Sequence, residues 1–359
     1  MPPLPRRRTL RRLSTQGAAQ SPGGDPSWAS LLPCRQCHQG LCPGDDLLGL
    51  SAGDLTPGAA QAVSLAGVIV SFADAAEEVL TRLAGLRISE ATAQRTTEAA
   101  GKELGRRLAA SETFGPARDW AWHKDAKGKT CAYVPLDATS VPQQGPHAAK
   151  ADSRMATVAM LYNPIPEKRA RWANPQGNRP PLQVRYLASL NGQASLGEPL
   201  RRQGAEVGMD RAERWIALSD GGSGLEDWVT TNFGRVEAVI LDFYHASEHL
   251  GDLAKAWHGA GTEEATAQHQ RWSHRLKHEG GQAILDELRA LEIRARPCAG
   301  QVWQGTVTYF ANQVHRMDYP RYVAKGWQIG SGPVESACKT VVNQRLKCAG
   351  MRWGGAGLG

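Results

Sequence analysis

The stretch Cys131-Ala132-Tyr133-Val134-Pro135-Leu136-Asp137 is a short apolar run that ends in one carboxylate. Its valine, leucine and tyrosine, bounded by polar turns, predict a β-strand. Two similar runs follow, Met155 to Tyr162 and Val184 to Leu190, and proline and glycine turns separate them. We therefore expect three consecutive antiparallel strands.

After these strands, helical and extended patterns alternate along the chain. We interpret Gly197 to Met209 as a helix, Trp215 to Ser219 as a strand, Gly224 to Asn232 as a helix and Ala238 to Leu241 as a strand. The order βββαβαβ is that of the ribonuclease-H-like fold. It predicts an α/β protein with a mixed sheet, in which acidic residues on the first and fourth strands and a late helix meet at one site.

Upstream of these strands, the region from Ala59 to about Ser111 follows a helical pattern. Four apolar residues share one stripe of the first helix: Ala76, Val79, Leu80 and Leu83. Gly85 then breaks the pattern, and Ser89 is a suitable N-cap for a second helix. Helix, short turn and helix resemble a DNA-reading helix-turn-helix unit, although generic helical hairpins are commoner.

Downstream of the strands, the chain is helical from Leu250 to about Tyr322, with Ile284, Leu288 and Leu291 on one face. We interpret this region as a helical insertion. It separates the strands from a terminal helix, Pro333 to about Leu346, which carries Glu335.

These patterns divide the chain into six segments. The first is a basic tail, expected to be disordered, and the second is a cysteine-rich knuckle. The predicted bounds are 1–28 for the tail, 29–58 for the knuckle, 59–125 for the helix-turn-helix-like region, 126–250 for the first part of the core, 251–326 for the insertion and 327–359 for the final helix.

The composition narrows the class of protein. Among 359 residues, 42 Lys and Arg outnumber 35 Asp and Glu, so the net charge is +7, and this favours polyanionic partners such as nucleic acid. No apolar run reaches the roughly 20 residues that span a bilayer, and no complete secretory or twin-arginine signal follows the N-terminal arginines. We expect a cytoplasmic protein whose seven cysteines are thiols or metal ligands rather than disulfides.

Three carboxylates are candidate ligands for divalent metal. Asp137 and Asp220 end predicted strands, and Glu335 lies on the opening turn of the terminal helix. Cleaving a phosphodiester commonly uses two Mg²⁺ ions about 4 Å apart, and hard carboxylate oxygens suit Mg²⁺ or Mn²⁺. The alternatives are turn-forming roles for the two aspartates and, for Glu335, a capping box that bonds the free N–H of Gly332.

Two further motifs contain residues that can act in catalysis or in metal binding. Asp242-Phe243-Tyr244-His245 follows the fifth predicted strand, where Asp242 can cap a helix and His245 can be a core or surface residue. Cys34-x2-Cys37-His38-x3-Cys42 resembles half of a zinc ribbon. Zn²⁺ binding by Cys34, Cys37 and Cys42, with His38 as an optional fourth ligand, and reduced free thiols are both open interpretations.

Five stretches together carry a family resemblance: Ser219-Asp220-Gly221, Asp242 to Leu250, Gly330 to Lys339, Arg345-Leu346-Lys347, and Gly350 to Trp353. In these motifs the chain resembles bacterial insertion-sequence transposases of the ISKra type, relatives of the Mutator-like DDE group. The resemblance implies a ribonuclease-H-like catalytic domain with a helical insertion before the last acidic residue. It also implies an acidic triad at Asp137, Asp220 and Glu335, braced by Asp242 and His245, with Asp242 as an alternative second metal ligand.

The activity implied by the resemblance is strand cleavage at the ends of a mobile element by water, followed by attack of the freed 3′-hydroxyl on target DNA. The implied partner is DNA, and a homo-oligomer is expected on it. Basic residues that would contact DNA phosphates are Lys339, Arg345 and Lys347 in the last helix and Arg169 and Arg171 in a proline-rich loop. A solvated basic surface is the alternative for each.

Some features depart from the family pattern. Pro135 lies in a predicted central strand and lacks an N–H, no cysteine precedes Cys34, and the chain ends at Gly354 to Gly359 where a last helix is expected. We therefore expect a truncated copy whose activity is in question. The alternative function is a non-catalytic DNA-binding remnant, whereas a glycosidase-like carboxylate pair would need no third acid.

Overall fold

A computed structural model describes residues 32–33, 40–41, 55–146, 149–164, 183–222, 224–291, 297–347 and 353. The chain divides into two compact units. One comprises Met1–Ala109 together with Cys348–Gly359, and the other comprises Ala110–Lys347. Within the described residues no helix is both long and apolar enough to cross a membrane.

The second unit is built on a mixed β-sheet. In chain order its strands are β3 His123–Lys124, β4 Thr130–Gln144, β5 Lys150–Asn163, β6 Gln183–Ser189, β7 Arg214–Ser219 and β8 Val236–Leu241, whereas the two-residue strands β1 Leu32–Pro33 and β2 Gly40–Leu41 pair with each other in the first unit. The spatial order is β6-β5-β4-β7-β8, with β3 paired to β4. Strands β4, β5 and β6 are antiparallel, while β4, β7 and β8 are parallel. This confirms the predicted α/β class and the three antiparallel strands.

Both units of the chain contain helices. The first unit contains α1 Pro57–Ile69, α2 with an α-helical turn Phe72–Asp74 and a π-helical part Ala75–Leu83, and α3 Glu90–Ala109. The second unit contains α4 Gly197–Glu206, α5 Leu225–Asn232, α6 Phe243–His258, α7 Glu263–Glu279, α8 Gly281–Ala290, α9 Pro297–Gln313, α10 Tyr319–Ala324 and α11 Gly332–Ala337, continued by a π-helical part Cys338–Asn343 and a turn Gln344–Leu346. The region that the sequence predicts as an insertion is helical, and both Ile284 and Leu288 are buried.

The first strand is longer than predicted. Asp137 does not end β4, because pairing with β5 continues from Asp137↔Val158 to Gln144↔Lys150. Pairing with β7 stops at Leu136↔Ser219, so the strand leaves the parallel part of the sheet at Asp137. Pro135 does not break the strand: it pairs with Leu218 on β7, and the register with β5 is the same on both sides of it.

One face of the sheet packs against α4 and α5. The alternate residues Ala132, Val134 and Leu136 of β4 point into this core, which includes Trp120, Trp122, Leu161, Leu200, Ala217, Trp228 and Phe233. On the other face, the ring of Tyr133 contacts that of Tyr162, and its hydroxyl accepts a hydrogen bond from the backbone of Gln328. By the same alternation, Asp137 belongs to the face of Tyr133.

In the first unit, the burial of α2 differs from the apolar stripe that the sequence predicts. Ala76 and Leu80 are buried and Val79 packs on the same cluster, but Leu83 is 82% exposed. The reason is the π-helical part of α2, which has more residues per turn than an α-helix and so moves Leu83 off the buried side. Ser89 does cap α3, since its hydroxyl accepts from the backbone N–H of Thr92 at 3.1 Å.

The two leucines of α2 provide a test of this register. We expect Leu80→Ala, at a position only 2% exposed, to lower the free energy of unfolding by about 2–5 kcal/mol. Leu83→Ala on the same helix should change it by less than about 0.5 kcal/mol. Urea unfolding of the full chain measures both, and equal losses would show that α2 keeps a regular α-helical stripe.

Candidate active site

The sheet register brings three acidic positions to one edge. Leu136 pairs with Ser219, and Ser219 pairs with Leu241. The residue that follows each of these three is an aspartate, namely Asp137, Asp220 and Asp242. Neighbouring strands lie about 4.8 Å apart. The backbone N–H of Asp242 donates to the carbonyl of Ser219 at 2.8 Å. The carboxyl ends of β7 and β8, together with Asp137 of β4, therefore form an acidic edge.

Asp137 is half-buried at this edge. Its Oδ1 accepts a hydrogen bond from the backbone N–H of Ala138 at 2.6 Å, and the buried Cys338 thiol lies near enough to affect its pKa. Burial raises the pKa of Asp137, and the negative charge of Asp220 raises it further, although Cys338, Ala138 and His245 act in the opposite direction. Asp137 is thus a carboxylate short of positive charge.

Asp220 lies in the loop after β7. Its Oδ1 accepts from the backbone N–H of Gly222 at 2.9 Å, and Gly221 between them has φ +92°. The turn-forming role that sequence allowed is therefore present. It occupies only one carboxylate oxygen, and among the described residues nothing donates a hydrogen bond to Oδ2.

Asp242 is fully buried. Its Oδ1 accepts from the backbone N–H of His245 at 2.9 Å and caps α6, as the sequence predicts. Its Oδ2 accepts from both the backbone N–H of Ser331, at 2.5 Å, and the Ser331 hydroxyl. Both oxygens of Asp242 therefore accept hydrogen bonds within the fold, whereas Oδ2 of Asp220 accepts none from the described residues.

Glu335 lies on the exposed side of α11. The capping-box alternative is wrong: α11 begins at Gly332 with Ser331 as its N-cap, so Glu335 lies one residue beyond the capping position. Although Glu335 is largely exposed, its partial burial raises its pKa, the negative charges of Asp242 and Asp137 raise the pKa further, and Lys339 lowers it. Glu335 therefore lies close enough to the acidic edge for the negative charge there to raise its pKa.

The other predicted site residues lie on α6, in the last helix or outside the described part of the chain. His245 is half-buried on the first turn of α6, and its ring contacts that of His249 edge-on with centroids 5.1 Å apart. Lys347 donates to the Thr139 hydroxyl of β4 at 2.6 Å, whereas Lys339 is exposed. Arg345 is half-buried in the last helical turn. The predicted phosphate contacts Arg169 and Arg171 and the predicted zinc ligands Cys34, Cys37, His38 and Cys42 lie outside the described residues.

Sequence reasoning missed several residues beside the acidic edge. The Tyr309 hydroxyl donates to the carbonyl of Asp220 at 3.2 Å, and His249 stacks on the Tyr309 ring with centroids 3.9 Å apart. Burial and the neighbouring His245 lower the pKa of His249. Cys338 is buried one helical turn after Glu335, a spacing that could have marked it as a neighbour of the same site.

The donor set fits a hard divalent cation better than a soft one. Asp137, Asp220 and Glu335 offer carboxylate oxygens, the ligands that Mg²⁺ and Mn²⁺ prefer. As the side chains stand, however, no group of three or more His, Cys, Asp or Glu in the described part of the chain is arranged to hold a metal ion.

Comparison of the chain with protein-family models gives no match, and comparison with curated proteins gives none either.

The raised pKa of Asp137 predicts a pH-dependent effect on stability. The folded state holds this proton more tightly than the unfolded state, so stability falls as pH rises through the folded pKa. We expect Asp137→Asn to unfold at a higher temperature than wild type at neutral pH in chelator. The difference should disappear below about pH 4, where the unfolded carboxyl is protonated as well.

Thermal unfolding across this pH range measures the effect. Asp210→Asn, at an exposed aspartate, serves as the control and should leave the profile unchanged. A lower unfolding temperature for Asp137→Asn at neutral pH would contradict the burial and charge of this site.

The contacts of Asp242 predict a structural role. Asp242→Ala removes a helix cap, worth about 0.5–2 kcal/mol, and leaves the buried Ser331 donors without an acceptor, at about 1–3 kcal/mol. We therefore expect a loss of roughly 2–4 kcal/mol in urea unfolding. Asp242→Asn keeps one acceptor oxygen and should lose less.

The matched control is Asp252→Ala on the same helix, where the carboxylate is exposed and forms an ion pair with Lys255. It should cost less than about 0.5 kcal/mol. A similarly small cost for Asp242→Ala would mean that the Ser331 contact does not stabilise the fold.

Proposed function

We propose that this chain is a DDE transposase that cleaves DNA strands and transfers them with the aid of Mg²⁺ or Mn²⁺. The observation that carries the proposal is the register Leu136↔Ser219, which makes Asp137 and Asp220 neighbours at one sheet edge. The buried bond from Ser331 to Asp242 brings the start of α11, and with it Glu335, to the same edge. On this proposal, three carboxylates spread over 198 positions of the sequence, from Asp137 to Glu335, converge at one site.

The strand arrangement supports a ribonuclease-H-like fold for the second unit. Three antiparallel strands followed by two parallel ones, in the order β6-β5-β4-β7-β8, agree with the βββαβαβ order in the sequence. The helices α6 to α10 lie between β8 and α11 in the chain, where the transposase resemblance expects a helical insertion. The zinc-binding knuckle remains a separate proposal that concerns residues outside the described part.

The proposed roles follow from the contacts of each residue. Asp137, Asp220 and Glu335 would hold the divalent cation, which when bound supplies the Lewis acidity and charge neutralisation that phosphodiester cleavage needs. Asp242 would position α6 and α11 through its buried hydrogen bonds. His245, one turn into α6 and close enough to lower the pKa of Asp137, would add positive charge when protonated.

The basic charge of the chain supports a DNA substrate. Lys339 is exposed one turn after Glu335, a position from which it can contact a phosphate bound at the acidic edge. Lys347 instead bonds Thr139, so we assign it to holding the last helix on β4. Strand transfer and assembly as a homo-oligomer on DNA rest on the family resemblance alone.

The triad is tested by nicking of a supercoiled plasmid that carries the DNA flanking the gene. We expect nicking only with Mg²⁺ or Mn²⁺, and a loss of more than about 100-fold in Asp137→Ala, Asp220→Ala and Glu335→Ala, since each removes several kcal/mol of charge stabilisation. Asp210→Ala, an exposed aspartate away from the edge, should nick at the wild-type rate.

Two outcomes would overturn this assignment. Nicking retained in all three variants would remove the triad from the mechanism. Retardation of the same DNA in a gel without metal-dependent nicking by the wild type would instead support the non-catalytic DNA-binding remnant.

A further inference from the structure

We propose that Tyr309, Gln313 and Arg316 of the helical insertion hold the Asp220 loop in its metal-binding position. This inference rests on the proposed function, because that proposal makes Asp220 a metal ligand. The three are positioning residues, since they contact the loop rather than any reacting atom. We call them the loop clamp.

The loop clamp lies on one side of a continuous helical segment. Tyr309 and Gln313 belong to α9, and Arg316 ends the 3₁₀ turn Val314–Arg316 that follows it. Their spacing of four and then three residues places successive side chains on the same face. One face of the insertion is therefore directed at the loop after β7.

Each clamp residue forms a hydrogen bond with a different residue where β7 joins the loop that follows it. The Tyr309 hydroxyl donates to the carbonyl of Asp220 at 3.2 Å, and the Gln313 amide donates to the carbonyl of Gly221 at 3.2 Å. Arg316 Nη1 donates to the Ser219 hydroxyl at 3.0 Å. The insertion thus holds three consecutive residues, the last residue of β7 and the first two residues of the loop.

The clamp is itself held in place. Arg316 is only 3% exposed, its Nε donates to the Gln313 side chain at 3.0 Å, and Glu226 lies 3.6 Å away. The loop fits closely against it: a Cβ on Gly221 would lie 2.9 Å from Leu241 and 3.4 Å from Arg316. Gly221 also has φ +92°, which a side chain would strain.

The clamp matters because the sheet no longer holds the chain at this point. Pairing of β7 ends at Ser219 on both sides, so Asp220 has no strand neighbour to fix its backbone. Its Oδ1 accepts from Gly222 within the same loop, and the direction of the carboxylate therefore follows the loop conformation. A displacement of about 1 Å at a catalytic group can cost about 100-fold in rate.

The test compares Tyr309→Phe and Gln313→Ala with Asn312→Ala in the full chain. Tyr309→Phe keeps the ring and removes only the hydroxyl, and Asn312 is the exposed amide next to Gln313. Mn²⁺ binding is titrated by electron paramagnetic resonance, and hydrogen exchange is followed in peptides that cover Ser219 to Gly222. Thermal unfolding checks that the variants are folded.

We expect roughly three- to tenfold weaker Mn²⁺ binding and faster exchange of the loop in the two clamp variants, which is what the loss of one hydrogen bond predicts. Asn312→Ala should match wild type in both. Unchanged Mn²⁺ affinity together with unchanged exchange in both clamp variants would overturn the proposal.

Failure of the proposed function gives a different pattern. Wild-type protein that binds no Mn²⁺ would overturn the metal site, and the clamp is then decided by exchange alone. Faster exchange of the loop in Tyr309→Phe and Gln313→Ala would retain the clamp, and unchanged exchange would overturn it as well.

Discussion

The buried carboxylate of Asp242 is the contact on which the arrangement of the second unit depends. It follows β8, caps α6 through His245 and receives two hydrogen bonds from Ser331, 89 positions later. A charge buried without such donors would cost several kcal/mol, whereas hydrogen bonds to a charged acceptor are strong. The helical region between α6 and α10 therefore begins and ends at one carboxylate, which lets Glu335 return to the sheet edge despite the long intervening chain.

Close approach of the two ends requires small residues beside Asp242. The backbone N–H of Phe243 donates to the carbonyl of Ile329 at 2.9 Å, and a Cβ on Gly330 would lie 2.6 Å from the Tyr244 ring. A larger residue at Gly330 would push α6 and the start of α11 apart. Packing against α6 thus explains Gly330, whereas a Cβ on Gly332 would meet no atom within 4 Å in the described structure.

Local patterns predicted most of the fold. The apolar runs ending near Asp137, Ser219 and Leu241 are strands in the structure, and Asp242 and Ser89 cap helices because capping needs only nearby backbone N–H groups. Predictions that depended on helix register were less accurate. Leu83 is exposed because α2 continues as a π-helix, and Glu335 misses the capping position because α11 starts at Gly332.

Contacts that depend on distant segments could not be predicted. The bond from Lys347 to Thr139 joins residues 208 positions apart, and Tyr309 reaches Asp220 across 89. Nothing in the local pattern of α9 distinguishes a face that packs on a loop from one that packs on another helix. The sequence could indicate which carboxylates were unusual, but only the tertiary structure shows which side chains hold them.

The two ends of the parallel strands differ in charge balance. At the amino ends, burial would raise the pKa of Asp125 and Glu237, yet backbone N–H groups and Arg214 lower that of Asp125, and Lys325 and Arg214 lower that of Glu237. At the carboxyl ends, the pKa values of Asp137 and Glu335 stay raised, because burial and neighbouring carboxylates outweigh the donors nearby. The same strands thus carry balanced ion pairs at one end and uncompensated negative charge at the other. Buried carboxylates are normally paired, and the divalent cation that we propose would supply the missing positive charge at this end of the strands.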